Sequence, residues 1–533
     1  MAKTPALDLA KHWAPLHSQG FTGAGVTMGV LDTGADASTY ERAREMNENA
    51  RRFAHFDVKW GRIEKLWPTG NAVPADLLKH GSAVFLRLLG GAPSVFFLDI
   101  RTLFPNTSEQ ELQQSLRVAV DRGADVLNLS MGRMVPWSQT EEHLLGCSVC
   151  RYASQLLADH DILVVAAAGN WADQAMACPG VSPDVLAVGA VMTDEESAFY
   201  VDHPEQKWRD FFEGRSSTSY AAAMTSALFA ILRSAFPAIP ARDWLEFSRS
   251  NSAASGVMTT YEPEGMFSEL REICAGRAFN FNDWKEFGQQ GITNRRELLA
   301  RANGVGVEGY AKIREWLKEQ RELFRTFIEG QFAFAEGRKL GGEIRTVSKA
   351  IEQFVVAVSK FEQIGQPIRT AAARLSLGAQ LVNRSWHSLP GRVIVNDAAE
   401  AERELSQACN ELNGCSHPRR QVLEGCALAW RARARTVLAS VSPVRNEEAL
   451  TDAKKAVELL SSAPGSPAVQ HDLAIAHLHL ARCHYFFTWH LRQTGRSTEE
   501  HSEQLRKNAL RALELDQEDS YARADANWLL QNS

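Results

Sequence analysis

At 533 residues the chain exceeds what one hydrophobic core organises, and its length alone predicts about three domains. A hydrophobic fraction of 45% and a charged fraction of 23% are those of an ordinary globular protein, and a net charge of −6 argues against nucleic acid or an anionic membrane as direct partner. No apolar run approaches the ~20 residues that span a bilayer, no secretory signal opens the chain, and the 8 cysteines lack the spacing of a disulfide framework, so a cytoplasmic location with reduced thiols is expected.

Five near-continuous apolar runs in the first half, at 26–31, 94–100, 125–131, 162–168 and 184–191, predict strands covered on both faces. Helical patterns at 109–121 and 141–158 lie between them. Alternation of this kind predicts an α/β fold with a doubly wound, mostly parallel sheet, whose ligand crevice lies at the carboxyl ends of the strands. A run of small and apolar residues from Tyr220 to about Phe236 predicts a helix buried nearly all round, with Ser219 at its mouth.

The strand ends carry polar residues. The first ends in Leu31-Asp32-Thr33-Gly34, the third in Asn128-Leu129-Ser130-Met131-Gly132, the fourth in Ala167-Ala168-Gly169-Asn170, and Lys79-His80-Gly81-Ser82 opens a helix after the first strand. Each has a plain explanation as a turn, a helix entry or, for Ser219, an N-cap. Together they supply what acyl transfer requires. A serine hydroxyl needs a base within hydrogen-bond reach, an imidazole can take and return the proton near neutral pH, a carboxylate orients it, and a fixed donor meets the oxyanion.

These motifs resemble the subtilisin-like serine proteases, the subtilases. Residues 16–34, His80-Gly81-Ser82-Ala83-Val84, Thr218-Ser219-Tyr220-Ala221 and the segment from Cys178-Pro179-Gly180 to Val191 are similar to that family's domain start, histidine motif, serine motif and post-asparagine segment, in the order Asp, His, Ser. The resemblance implies Ser219 as nucleophile, His80 as general base and acid, Asp32 as the orienting carboxylate and Asn170 as oxyanion donor. It implies Ser130, Met131 and Gly132 as the edge that pairs with an extended substrate, and Ala167, Ala168 and Gly169 as pocket wall. Ser217 stands where the family has glycine, Ala223 where it has proline and Ala83 where it has a second histidine, and the span from Asn170 to Ser219 is short, with 195–214 replacing the usual strands. The family's calcium loops are not evident.

His143, Cys147 and Cys150 fall on one helical face, and Cys178 could join them as a fourth soft ligand suited to zinc. The spacing is not that of a standard finger, and buried reduced thiols are ordinary core residues. No metal and no cofactor are therefore expected.

Strand signals stop beyond the first domain, 1–250, and a segment rich in Ser, Ala, Gly and Thr makes 251–268 an expected linker. Two long amphipathic helices, around 313–328 and 347–361, belong to a helical domain at 269–396. Shorter helix hairpins fill 397–533, where Ala453-Lys454-Lys455-Ala456-Val457-Glu458-Leu459 recurs loosely as Ala509-Leu510-Arg511-Ala512-Leu513-Glu514-Leu515, a pattern that resembles tetratricopeptide repeats. Stacked helix pairs suit the capture of a peptide or protein.

The expectation is an intracellular serine endopeptidase acting on a protein or peptide substrate. The helical half is expected to control activity or dock a regulatory protein partner, and the combination resembles effectors of prokaryotic antiviral defence. The protease-like sequence starts near Met1, leaving no room for an inhibitory propeptide, so restraint is expected to fall to the helical half. The alternatives are a catalytically silent scaffold that keeps the fold, and a metal- or redox-sensing module built on Cys147 and Cys150.

Overall fold

The computed structural model describes residues 9–46, 53–59, 62–67, 79–102, 107–171, 174–191, 198–201, 218–255, 263–274, 276–304, 310–387, 392–439, 442, 444–465, 467–515 and 520–532. It divides into two compact units, Met1–Ile328 and Glu329–Ser533.

The first unit begins with α1 (Leu9–Ser18), β1 (Thr27–Asp32), α2 (Ala37–Met46), β2 (Phe53–Lys59), β3 (Arg62–Trp67), α3 (His80–Gly91), β4 (Phe96–Arg101), α4 (Glu109–Asp121) and β5 (Val126–Leu129). It continues through β6 (Arg133–Pro136), α5 (Thr140–Gly146), α6 (Ser148–His160), β7 (Leu163–Ala167), β8 (Ala175–Cys178), β9 (Leu186–Val191), β10 (Ala198–Val201), α7 (Thr218–Ala235), α8 (Ala241–Ser255), α9 (Pro263–Ile273), α10 (Phe281–Gln289) and α11 (Arg295–Asn303) into α12 (Ala311–Leu340). An 8-stranded sheet runs in the order β10-β9-β7-β5-β1-β4-β2-β3. Every pairing from β9 to β2 is parallel, and the antiparallel β10 and β3 close the two edges.

All five predicted apolar runs are strands of this sheet, with ends that differ by no more than two residues. β1, β5 and β7 are buried at every position, as strands covered on both faces must be. The strands that the apolar runs do not announce lie at the margins. In β2, Ala54, Phe56 and Val58 are buried, a period-two pattern in place of a continuous run. The β6–β8 pair forms a separate two-stranded sheet. The helix expected over 141–158 is two helices, divided at Cys147, whose backbone is extended (φ −74°, ψ 116°) directly after Gly146.

Except for Tyr220, every residue of α7 is buried. Small side chains permit this: a Cβ placed on Gly91 of α3 would come within 2.6 Å of the Ala227 methyl. Arg233, which ends the apolar run, is itself 0% exposed. Its guanidinium donates to the carbonyls of Asp125 and Asp161 and to the Asp161 carboxylate at 2.7 Å, and Arg295 of α11 reaches both carboxylates, at 2.9 and 3.3 Å. A buried charge survives only when paired in this way. Trp284 of α10 covers Gly25, and Trp244 and Phe247 of α8 pack against Phe324 of α12, so helices well beyond residue 250 complete this core. Helix also occupies 251–255 and 263–268 within the segment expected as a linker.

The second unit contains the end of α12 and then α13 (Val347–Gln363), α14 (Pro367–His387), α15 (Arg392–Leu412), α16 (Arg420–Leu438), α17 (Arg445–Ser461), α18 (Pro467–Gln493), α19 (Glu499–Leu515) and α20 (Ser520–Gln531). From α13 onward each helix packs on the next in sequence. The two loosely repeated segments lie on α17 and α19, and each buries its pair of alanines, Ala453 with Ala456 and Ala509 with Ala512. Arginines tie neighbouring helices together. Arg374 holds Glu362, Glu404 and Glu411, Arg431 forks onto both oxygens of Asp452 at 2.7 and 2.8 Å, and Arg435 spans Glu402 and Asp452. No helix among the described residues is long and apolar enough to cross a membrane.

Candidate active site

Asp32, the last residue of β1, is 1% exposed. Its Oδ1 accepts from the Thr33 backbone N–H at 2.7 Å, from the Thr33 hydroxyl and from His80 Nδ1 at 2.7 Å. Its Oδ2 is buried with no hydrogen-bond partner among the described residues. Burial pushes the Asp32 carboxyl above its ordinary value, while the bonds from His80 and Thr33 pull the other way. Accepting at Nδ1 is closed to His80 when its partner is a carboxylate, so Nδ1 carries the proton and Nε2 keeps the lone pair.

Two glycines make this pair possible. Gly34 turns the chain after Asp32 with φ 82°. Gly81 lies so close to that turn that a Cβ would meet the Gly34 carbonyl oxygen at 2.6 Å and its nitrogen at 2.7 Å, and its N–H donates to the Thr33 hydroxyl at 2.9 Å. The start of α3 is thereby locked onto the end of β1. Lys79, before His80, sits in the left-handed region (φ 57°) with its ammonium 2.6 Å from Asp36.

Ser219 is the second residue of α7 and is 6% exposed. Its hydroxyl donates to the Ser130 carbonyl at 3.0 Å, and the Ser130 hydroxyl donates back to the Ser219 carbonyl at 2.9 Å. Tyr220 stacks on the His80 ring at 6.1 Å between centroids, and the Arg87 guanidinium lies over the Tyr220 ring, 3.7 Å from its centroid. Serine and imidazole thus share one end of the sheet. Asn170 follows β7, and its Oδ1 accepts from the Thr218 N–H at 3.2 Å and the Thr218 hydroxyl at 3.0 Å. A backbone N–H can only donate, so the amide oxygen faces Thr218 and the Nδ2 donor lies on the other side of an exposed side chain.

Ser130, Met131 and Gly132 continue from β5, beside β1. Ala167 ends β7. The Ala168 N–H donates to Val188 and its carbonyl accepts from Ala177, both at 2.8 Å. Gly169 has φ 100°, and a Cβ there would strike the Trp171 ring at 2.5 Å. All ten residues singled out in the sequence therefore lie at carboxyl ends of neighbouring strands or at the starts of α3 and α7. Ser216, Ser217 and most of 195–214 lie outside the described residues.

Three residues of the site were not singled out. Asn128 donates to the Ser130 hydroxyl at 3.0 Å and accepts from Ser226 of α7 at 3.0 Å, so a buried polar chain runs from the body of α7 to the Ser219 backbone. Thr218 anchors Asn170. An asparagine inside an apolar strand, opposite a serine inside an alanine-rich helix, is the signal that would have found the first two.

A doubly wound sheet with a carboxylate–imidazole pair and a serine at one edge has the fold and side-chain set of a serine hydrolase. Residues 23–268 match the model of the Subtilase family, Peptidase_S8. The chain is 26% identical over 283 residues to the subtilisin-like protease PopC of Myxococcus xanthus, across 44% of this chain and 57% of PopC. It is 26% identical over 200 residues to subtilisin E of Bacillus subtilis, across 35% of this chain and 46% of that protein. The chain thus spans about half the length of the curated relatives it matches. Among solved structures, MycP1 with its N-terminal propeptide removed aligns at 20% identity and a TM-score of 0.32, covering 45% of this chain and 87% of that one.

Proposed function

We propose that the protein is a serine endopeptidase that cleaves a protein chain bound in extended form. The observation that carries this reading is the 2.7 Å bond from His80 Nδ1 to a buried Asp32, with Ser219 at the adjoining helix start. In the proposed reaction His80 Nε2 removes the Ser219 proton as Oγ attacks the scissile carbonyl. A hydroxyl has one proton, so attack requires it to be directed to Nε2 and not to the Ser130 carbonyl. Asp32 holds the imidazole tautomer and stabilises the imidazolium, which then protonates the leaving amine. Asn170 Nδ2 and the Ser219 N–H meet the oxyanion. Removing one such side-chain donor costs about 10²–10³ in rate. The substrate strand lies along Ser130–Gly132, with Ala167–Gly169 walling the pocket for the residue before the cut.

The second unit is proposed to bind a regulatory protein partner and govern the first, in a tetratricopeptide-like manner, as an intracellular effector of a defence system. Its support is a run of helices that each pack on the next and the 8 cysteines, all of which are free. Incubating the protein with denatured protein substrates and mapping new peptide termini tests the enzyme reading. Cleavage by the native chain and none by Ser219→Ala is expected, and equal patterns from the two would overturn it.

A further inference from the structure

The four residues weighed in the sequence as zinc ligands and left without a metal come together. A ring nitrogen of His143 and the sulfurs of Cys147, Cys150 and Cys178 all lie within 4.8 Å of one another. Cys178 Sγ is 3.6 Å from both Cys147 Sγ and Cys150 Sγ, and Cys150 Sγ is 3.5 Å from His143 Nε2. Zinc bonds of ~2.3 Å to sulfur and ~2.0–2.1 Å to nitrogen put the edges of a tetrahedron at about 3.8 Å between sulfurs and about 3.6 Å from sulfur to nitrogen. The two sulfur–sulfur separations of 3.6 Å and the sulfur–nitrogen separation of 3.5 Å match those edges. They are far too long for a disulfide, whose sulfurs stand about 2 Å apart.

We infer that His143, Cys147, Cys150 and Cys178 form a closed, structural zinc(II) site on the first unit. Three thiolates and an imidazole are a soft donor set that selects zinc over magnesium or calcium. Four protein ligands leave no open position, as in a structural and not a catalytic centre. The local fold serves the same end. Cys147 is the N-cap of α6 and Cys150 lies in its first turn, where the positive end of the helix dipole favours thiolates. His143 lies on α5, one turn before the break at Cys147, and Cys178 comes from the end of β8. The three thiols are buried and the imidazole is part-exposed. Hydrophobic packing alone gives no reason for four metal-ligating atoms from two separate segments to converge on one point.

The placement gives the metal a task. Cys178 pairs with Arg133, next to Gly132, and a Cβ on Gly132 would meet the Cys178 carbonyl at 2.5 Å. One residue earlier, the Ala177 N–H bonds the Ala168 carbonyl. A zinc at this point clips β8 to α5 and α6, behind the wall formed by Ser130–Gly132 and Ala167–Gly169.

Elemental analysis of the full-length protein, expressed with zinc and purified without chelator, tests the inference. One zinc per chain is expected, released when a mercurial titrates the thiols. Exchange for cobalt(II) is expected to produce the thiolate charge-transfer band and the intense visible bands of a tetrahedral site. His143→Ala, which leaves the buried thiols in place, should keep the native circular dichroism and weaken zinc binding by more than about tenfold, the lower end of what losing even an outer partner costs. Substoichiometric zinc in the native chain, a cobalt spectrum without thiolate bands, or a Cys147–Cys178 disulfide found by mass spectrometry would each overturn it. Since the native protein alone supplies those three results, a variant that fails to fold cannot rescue the idea.

Discussion

Position 81 shows how closely the site is built. The Gly34 peptide fills the space a side chain would need there, and the clash is with backbone, which cannot swing aside. Gly81→Ala is therefore expected to displace His80 from Asp32 while leaving the sheet intact. A misplacement of the order of 1 Å costs about 10²-fold in rate, so kcat/KM should fall about that far with unchanged far-UV circular dichroism. Activity equal to the native chain would show that α3 has slack at this point. At this scale Asp32, His80, Asn170 and Ser219 were legible because each follows a strand or opens a helix with a polar residue in a small-residue setting. Asn128 and Ser226 were not, because a buried polar pair acting through Ser130 looks in sequence like two unrelated interruptions of apolar runs.

At the scale of elements, the C-terminal end of α7 is tied to β5, α6 and α11 through Arg233, Arg295, Asp125 and Asp161. Burial alone would raise the Asp161 carboxyl, but the charges of Arg233 and Arg295 outweigh it and hold the value at about 2, against an ordinary 3.8. A carboxyl held lower in the folded state lends stability above its unfolded value, and that stability drains away as pH falls through the folded one. Asp161→Asn should thus unfold at lower denaturant than the native chain near neutral pH, with the two curves converging as pH approaches about 2. A gap that stays constant with pH would mean the carboxylate charge is not what binds the cluster. Continuous apolar runs revealed the central strands, since burial on both faces leaves few polar positions. β2, one strand in from the edge, and the β6–β8 pair escaped because a strand that alternates apolar with polar residues, or is only four residues long, carries too few apolar positions to stand out.

For the whole molecule, the first compact unit reaches Ile328. Trp284 on Gly25, Arg295 on Asp125 and Phe324 on Trp244 make the later helices part of its core. A chain ended at residue 250 should be insoluble or unfolded, because it leaves Asp125 without its Arg295 partner and exposes aromatic core. One ended at Leu340, which keeps α12 whole, should fold cooperatively in a thermal melt. If the longer truncation is more active than the full chain, the second unit is a restraint, and equal activity and substrate choice would remove it as a control element. The extent of the first unit was hidden in the sequence because α10, α11 and α12 carry ordinary amphipathic patterns, which say that a face is buried but not against what.

The central claim is that Ser219 is an activated nucleophile, and covalent labelling by a fluorophosphonate probe tests it most directly. The native chain should label at Ser219, with labelling abolished in Ser219→Ala and strongly reduced in Asp32→Asn. A native chain that labels no better than Ser219→Ala would contradict the account and leave a catalytically silent scaffold.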